Sequence, residues 1–221
     1  MSRAVRIPRA EIQPPAQSAA SSNVVATIFN RHGDLEPLVA RRNGVRNIER
    51  IADLRAEEGD RNRALERLER LPSEEALVAE LASLRSAVFE PASEPDLRVI
   101  VSVMLEALPA AKAQATAVYI DAVVWALQHA DDDRTREAFP PFRGFSARVL
   151  ATVTRRIWFK NTFAPSIAEL LATAREVRAE YWCATGATNR LLALRRNAEA
   201  VIAALPPPPS SLEGDPEDIP F

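Results

Sequence analysis

The chain has 221 residues, of which 47% are hydrophobic and only 6 are glycine, and its formal net charge is −2. This composition allows one ordinary domain with a buried core, and it favours helix over sheet. The single cysteine, Cys183, excludes a disulfide framework and predicts a cytoplasmic protein, while the apolar runs are too short for a membrane span.

The first 72 residues are predicted to lie outside the core domain. Residues 1–22 are rich in Pro, Ala, Ser and Gln, a composition typical of a disordered segment. Over residues 23–72 we expect a charged helical arm, because apolar residues recur at helical spacing while charges fill the other faces. Gly59 and Asp60 interrupt that pattern, which is shorter than the roughly four heptads expected of a coiled coil.

Residues 73–204 are predicted to form one compact, multi-helix, all-α domain. Ser73 is placed to cap its first helix, because a serine hydroxyl at the N-cap can accept a hydrogen bond from a free backbone N–H of the first turn. The segment from Pro109 to Leu127 is apolar nearly all round, which predicts the central buried helix. Gly186 favours a bend or break in the last helix. The predicted helices run over 73–89, 93–108, 109–127, 145–159 and 166–205.

Charge is distributed unevenly along the chain. Residues 71–137 carry twelve acidic and five basic side chains, whereas residues 138–198 carry ten basic and three acidic ones. Residues 206–221 carry four acids and no base. We therefore expect the acidic tail either to avoid or to cover the basic surface of the C-terminal half.

A helix-start motif stands at Phe163-Ala-Pro-Ser-Ile-Ala-Glu-Leu170. Ser166 and Glu169 have the spacing of a capping box, Pro165 suits the first turn, and Phe163 can pack down to fix the entry angle. Together with the preceding helices, over residues 95–180, the motif resembles the helical domain of phage- and plasmid-type replicative-helicase loaders. That resemblance implies a replication accessory protein that binds the replicative helicase.

The chain ends on Gly-Asp-Pro-Glu-Asp-Ile-Pro-Phe, after a run of four prolines at 206–209 that favours a semi-rigid linker. A terminal Phe offers a ring for an apolar pocket and a carboxylate for a cation, and upstream acids can steer it onto a basic rim. The stretch resembles the C-terminal tip of bacterial single-stranded DNA-binding proteins, which implies docking to the host proteins that bind that tip. The predicted partner-binding residues are Asp215, Glu217, Asp218, Ile219, Pro220 and Phe221.

Basic residues of the C-terminal half are interleaved with aromatic ones such as Trp158 and Phe159. Such a pattern can contact a nucleic-acid backbone and stack on bases, but it also suits an acidic protein surface or the chain's own tail. Ile157 and Phe159 are expected to divide between core and surface. The candidate contact residues are Arg148, Arg155, Arg156, Lys160, Arg190, Arg195 and Arg196.

Motifs for catalysis, metal or cofactor binding are absent from the sequence. His129 beside Asp131–Asp133 is more simply a solvated turn than a metal site, and Cys183 is expected in the core. We find no ATP-binding loop or catalytic triad order, so we expect no enzyme and no cofactor.

The sequence thus predicts a non-enzymatic accessory protein of DNA replication. Two other functions fit the pattern. One is a helical DNA-binding regulator gated by its acidic tail, and the other is a structural protein whose residues 44–71 form homo-oligomers.

Overall fold

The computed structural model describes residues 35–44, 61–108, 110, 117–130, 142, 144–160 and 163–204. Helices account for 85% of these residues, and no strand occurs among them. The predicted all-α fold is therefore confirmed. The predicted disordered N-terminus, the loop at Asp131–Asp133 and the tail lie outside the described residues. The helices are α1 Glu36–Gly44, α2 Arg61–Arg70, α3 Glu74–Phe89, α4 Glu94–Glu106, α5 Ala117–His129, α6 Ala147–Lys160 and α7 Ile167–Ala204.

Serine caps begin α3 and α4. The Ser73 hydroxyl accepts from the backbone N–H of Ala76 at 3.2 Å, and the Ser93 hydroxyl accepts from that of Asp96 at 3.3 Å. Acidic residues occupy the first turn of both helices, where they complement the helix dipole. The predicted N-cap at Ser73 and the predicted end of α3 at Phe89 are both confirmed.

The long helix α7 is the central element of the fold. It contacts α1, α2, α3, α5 and α6, and its buried side chains recur at helical spacing from Leu170 to Ala198. A break at Gly186, one of the two outcomes predicted there, does not occur, since α7 continues through this residue. Contacts with neighbouring helices along most of its length hold α7 together despite the low helix propensity of one glycine.

The prediction that the 109–127 segment is the central buried helix is wrong. Its described part, α5, buries Val123, Val124 and Leu127, but Val118 is 77% exposed and Trp125 is 64% exposed. An apolar composition shows that a helix can be buried on all sides, not that neighbours cover it. Here α5 contacts α4 and α7 and leaves one face uncovered by the described residues.

The core consists of one main cluster and a smaller one. The main cluster joins α1 and α3–α7 and contains the buried ring of Phe145. Tyr181 belongs to this cluster, and its hydroxyl bonds to the hydroxyl of the buried Thr152 at 3.0 Å. The smaller cluster lies between α3 and the second half of α7 and consists of Leu71, Leu77, Leu81, Leu191 and Leu192.

Candidate partner-binding surfaces

The start of α7 has the geometry of a capping box, as the sequence predicts. The backbone N–H and the hydroxyl of Ser166 both donate to the Glu169 carboxylate at 2.8 Å. In return, the Ser166 hydroxyl accepts from the Glu169 N–H at 3.2 Å. The backbone N–H of Ser166, and then its hydroxyl, hold the pKa of Glu169 below its ordinary value. This reciprocal pairing fixes where the helix begins.

Two side chains fix the same end of the helix bundle. The Tyr119 hydroxyl donates to the backbone carbonyl of Pro165, which joins the first turn of α5 to the start of α7. Burial, and then the charge of Glu169, raise the pKa of Tyr119. The indole N–H of Trp158 donates to the carbonyl of Met104 at 3.0 Å, which joins the ends of α6 and α4.

Large apolar side chains are exposed at this end of the bundle, which we call the aromatic end and define as Val118, Phe159 and Phe163. Phe159 is 90% exposed and Phe163 is 63% exposed. The prediction that Phe163 packs down is therefore wrong: Tyr119 secures the entry of the chain into α7 instead. Ile157 is buried while Phe159 is exposed, which confirms the predicted division between core and surface. Neither phenylalanine is needed for the capping geometry.

Two of the predicted contact arginines, Arg155 and Arg156, are engaged within the protein. Arg156 lies between two carboxylates, 2.7 Å from Glu180 and 3.2 Å from Glu36. Its bonds to Glu180, followed by the Glu180 charge and the bonds to Glu36, raise its pKa above the ordinary arginine value. Arg155 lies 3.5 Å from Glu36 and also donates to Thr152. These charges tie α6 to α1 and α7.

The other five contact candidates differ in how they are engaged. Arg195 donates to the Pro72 carbonyl at 3.0 Å and lies 2.9 Å from Glu199, and Arg196 lies 2.6 Å from Glu74. The remaining three cations have no ion pair with another described residue. Much of the positive charge of the C-terminal half is therefore neutralised internally. Those three cations are Arg148, Lys160 and Arg190, on α6 and α7.

The arrangement that holds α1 in place was not predicted from the sequence. Arg42 of α1 is 6% exposed and pairs through two nitrogens with the Glu80 carboxylate of α3. Thr188 of α7 donates to the same carboxylate at 3.3 Å, and Asn43 donates to the backbone carbonyl of Glu180 at 3.1 Å. The partners are far apart in the chain, so no local spacing rule relates them.

Other predicted residues have a plainer environment. Cys183 is exposed, so its predicted place in the core is wrong; its neighbour Tyr181 is buried instead. The His129 ring stacks on Trp125, with 4.8 Å between ring centroids. Within the described ranges, no cluster of three His, Cys, Asp or Glu could hold a metal ion. The predicted tail contacts, Asp215 to Phe221, lie outside those ranges.

Comparison with known proteins found no protein that resembles this chain in sequence or in fold. No protein family matches the chain, no curated protein matches it, and no solved structure matches its fold. In the part of the chain that the structure describes, no helix is long and apolar enough to cross a membrane.

Proposed function

We propose that this chain is a non-enzymatic accessory protein of DNA replication, of the type carried by phage or plasmid DNA. Its helical body binds a replicative helicase, which it loads or modulates. Its C-terminal Asp215–Phe221 segment docks to the host proteins that bind the tip of single-stranded DNA-binding proteins. Both contacts are made by binding alone, without a cofactor.

The exposure of Phe163 is the observation that supports the proposed helicase contact. Phe163 opens the motif on which the resemblance to helicase loaders rests, yet the capping box and Tyr119 hold the start of α7 without it. An aromatic ring that is largely exposed and makes no necessary internal contact is available to a protein partner. Phe159 and Val118, at the same end of the bundle, extend the apolar surface.

The internal ion pairs favour this function over a DNA-binding regulator. Arg155, Arg156 and Arg196 are paired with carboxylates of other helices. Recruiting them to phosphates would break contacts that join α1, α3, α6 and α7. Affinity for nucleic acid grows with the number of phosphates neutralised, and few unpaired cations remain among the described contact candidates.

Binding to a purified hexameric bacterial replicative helicase tests the proposal. We expect Phe163→Ser to weaken binding by at least about tenfold, as for an aromatic residue at the centre of an interface. Val78→Ser, at an exposed aliphatic residue on α3, is the matched control and should bind like the wild-type chain. Equal binding by the Phe163 variant and the wild type would reject the aromatic end as the helicase contact.

The tail contact is tested separately, with the same chain lacking only Phe221. Capture from bacterial lysate should lose the tip-binding replication and repair proteins but keep the helicase. A synthetic peptide with the sequence of a single-stranded DNA-binding protein tip should compete for the lost proteins only. Identical captures with and without Phe221 would reject the tail contact and leave the helicase contact standing.

A further inference from the structure

The surface beneath α1 is a groove between α3, α6 and α7, in which charged side chains hold the helix. At the first turn of α1, Glu36 contacts the arginines of α6. Near its end, Arg42 contacts Glu80 of α3. The groove, which we call the α1 groove, is lined by Glu80, Arg155, Arg156, Glu180 and Thr188.

The apolar contact of α1 is centred on Val39, with Leu38 and the preceding Leu35 partly buried against the main cluster. Val39 is the one hydrophobic residue of this helix that is fully buried, and the other buried residue is Arg42. A helix of 9 residues is shorter than the roughly 12–15 residues needed for marginal stability in water. The helical form of α1 therefore depends on the groove, and its docking combines this apolar contact with ion pairs at both ends of the helix.

The groove has a fixed electrical polarity. Arg155 and Arg156, with the Glu180 carboxylate paired to Arg156, leave one end with a net positive charge, and Glu80 makes the other end negative. A helix with an acid in its first turn and an arginine six residues later matches both ends, and this order also suits the helix dipole. A helix lying in the opposite direction would bring like charges together, which is costly.

The chain between α1 and α2 is sixteen residues long. Residues 45–60 join α1 to α2 and can span about 50 Å at full extension. Helix α2 makes its own contacts with α7. The contacts that hold α2 on α7 are therefore separate from the ion pairs that hold α1.

We propose that the α1 groove is a helix-binding site with α1 as its resident ligand. The occupant that displaces α1 is a helix of a partner protein with the same polarity: a glutamate or aspartate in the first turn and an arginine six residues later. This proposal is independent of the aromatic end and of the tail.

A labelled synthetic peptide of residues 35–44 is the probe, with the full-length chain as its receptor. Val39→Asp in the chain places a carboxylate in the apolar contact of α1 and should vacate the groove. We expect the peptide to bind this variant at least about tenfold more tightly than wild type, because the resident helix no longer competes. Circular dichroism should show that the remaining helices persist.

Charge reversal then identifies the binding surface. Adding Glu80→Arg to the Val39→Asp chain should weaken peptide binding at least about tenfold, because the introduced arginine would face Arg42 of the peptide and repel it. A peptide carrying Arg42→Glu should recover that loss. The proposal would be overturned if the original peptide bound equally to the Val39→Asp chain and to the chain that also carries Glu80→Arg, or if it bound to neither. A concentration-dependent dimer that exchanges α1 between copies would also overturn it, since a second copy would then be the occupant.

Hydrogen exchange of the unmodified chain covers the case in which the Val39 variant fails to fold. Amides of residues 36–44 should exchange faster as NaCl is raised from 50 mM to about 1 M, because salt screens the docking charges. Amides of α3 and α6 should not follow. Exchange of α1 together with α3 and α6, at one common rate, would contradict a releasable helix.

Discussion

Arg42 and Glu80 form a two-bond ion pair across 38 positions of sequence. Nη2 of the arginine lies 2.8 Å from Oε2 of the glutamate, and Nε donates to Oε1. Both side chains are largely buried, so each charge has lost most of its contact with water. Each is stabilised instead by the opposite charge of its partner.

Arg42→Ala should destabilise the protein by about 3 kcal/mol, at the lower end of the range for breaking a buried ion pair. The loss is limited because α1 can leave the groove and let water reach Glu80. Urea unfolding followed by circular dichroism measures it. Arg98→Ala, at an exposed ion pair with Asp121, is the matched control and should leave the midpoint unchanged. Equal losses for the two variants would contradict the buried role of Arg42.

Gly186→Ala should stabilise the protein by about 1 kcal/mol, since alanine loses less backbone entropy than glycine in a helix interior. A Cβ atom at this position would meet no atom within 4 Å, so no steric cost opposes the gain. The urea midpoint should rise.

Gly144→Ala provides the control of opposite sign. Its φ of +121° is one that side-chain-bearing residues rarely adopt, so alanine there should be destabilising. A destabilising Gly186→Ala would indicate that α7 is distorted at this position.

Glu169→Gln should remove part of the acid sensitivity of the fold. The folded-state pKa of Glu169 is lowered by the backbone N–H and the hydroxyl of Ser166. Its stabilisation is therefore complete above the ordinary value of 4.5 and is lost as pH falls through the lower folded-state value. Unfolding midpoints at pH 7 and pH 3 should differ less in the variant than in wild type. A difference of the same size in both proteins would contradict the charged capping box.

Phe159→Ser and Phe163→Ser should leave stability within about 0.5 kcal/mol of wild type, because both side chains are exposed. Phe145→Ala, in the main core, should cost about 3–5 kcal/mol. Thermal and urea unfolding compare the three variants. A large loss of stability for Phe163→Ser would mean that the ring supports the fold. Weaker helicase binding by this variant could then result from unfolding and would not identify a contact.

Cys183 should react with a maleimide reagent in the folded protein, because the residue is exposed. Labelling should be complete without urea and should leave the circular dichroism spectrum unchanged. A thiol that reacts only after unfolding would contradict its position on the surface of α7.

Local chemistry explains the parts of the fold that sequence could predict. The starts of α3 and α7 follow from serine caps and, at Ser166, from the reciprocal Glu169 carboxylate three residues on. These devices act within one helical turn, so spacing reveals them. The exposure of Phe159 beside the buried Ile157 follows from helical periodicity in the same way.

Long-range packing explains the errors. Val118 and Trp125 belong to an apolar helix, yet only the positions of α4 and α7 decide which faces of α5 are covered. Cys183 stands beside the buried Tyr181 but on another face of α7. The pairing of Arg156 with Glu36, 120 positions away, depends on how α1 docks, and no local pattern encodes that contact.

The length of α7 sets the distance between the two proposed contacts. Its 38 residues span about 57 Å at 1.5 Å per residue. The aromatic end lies at its start, and the last 17 residues of the chain leave from its other end. Those 17 residues reach about 60 Å only when fully extended, so the tip has no slack with which to return to Phe163. The proposed helicase contact and the origin of the tail therefore lie at opposite ends of one helix, about 57 Å apart.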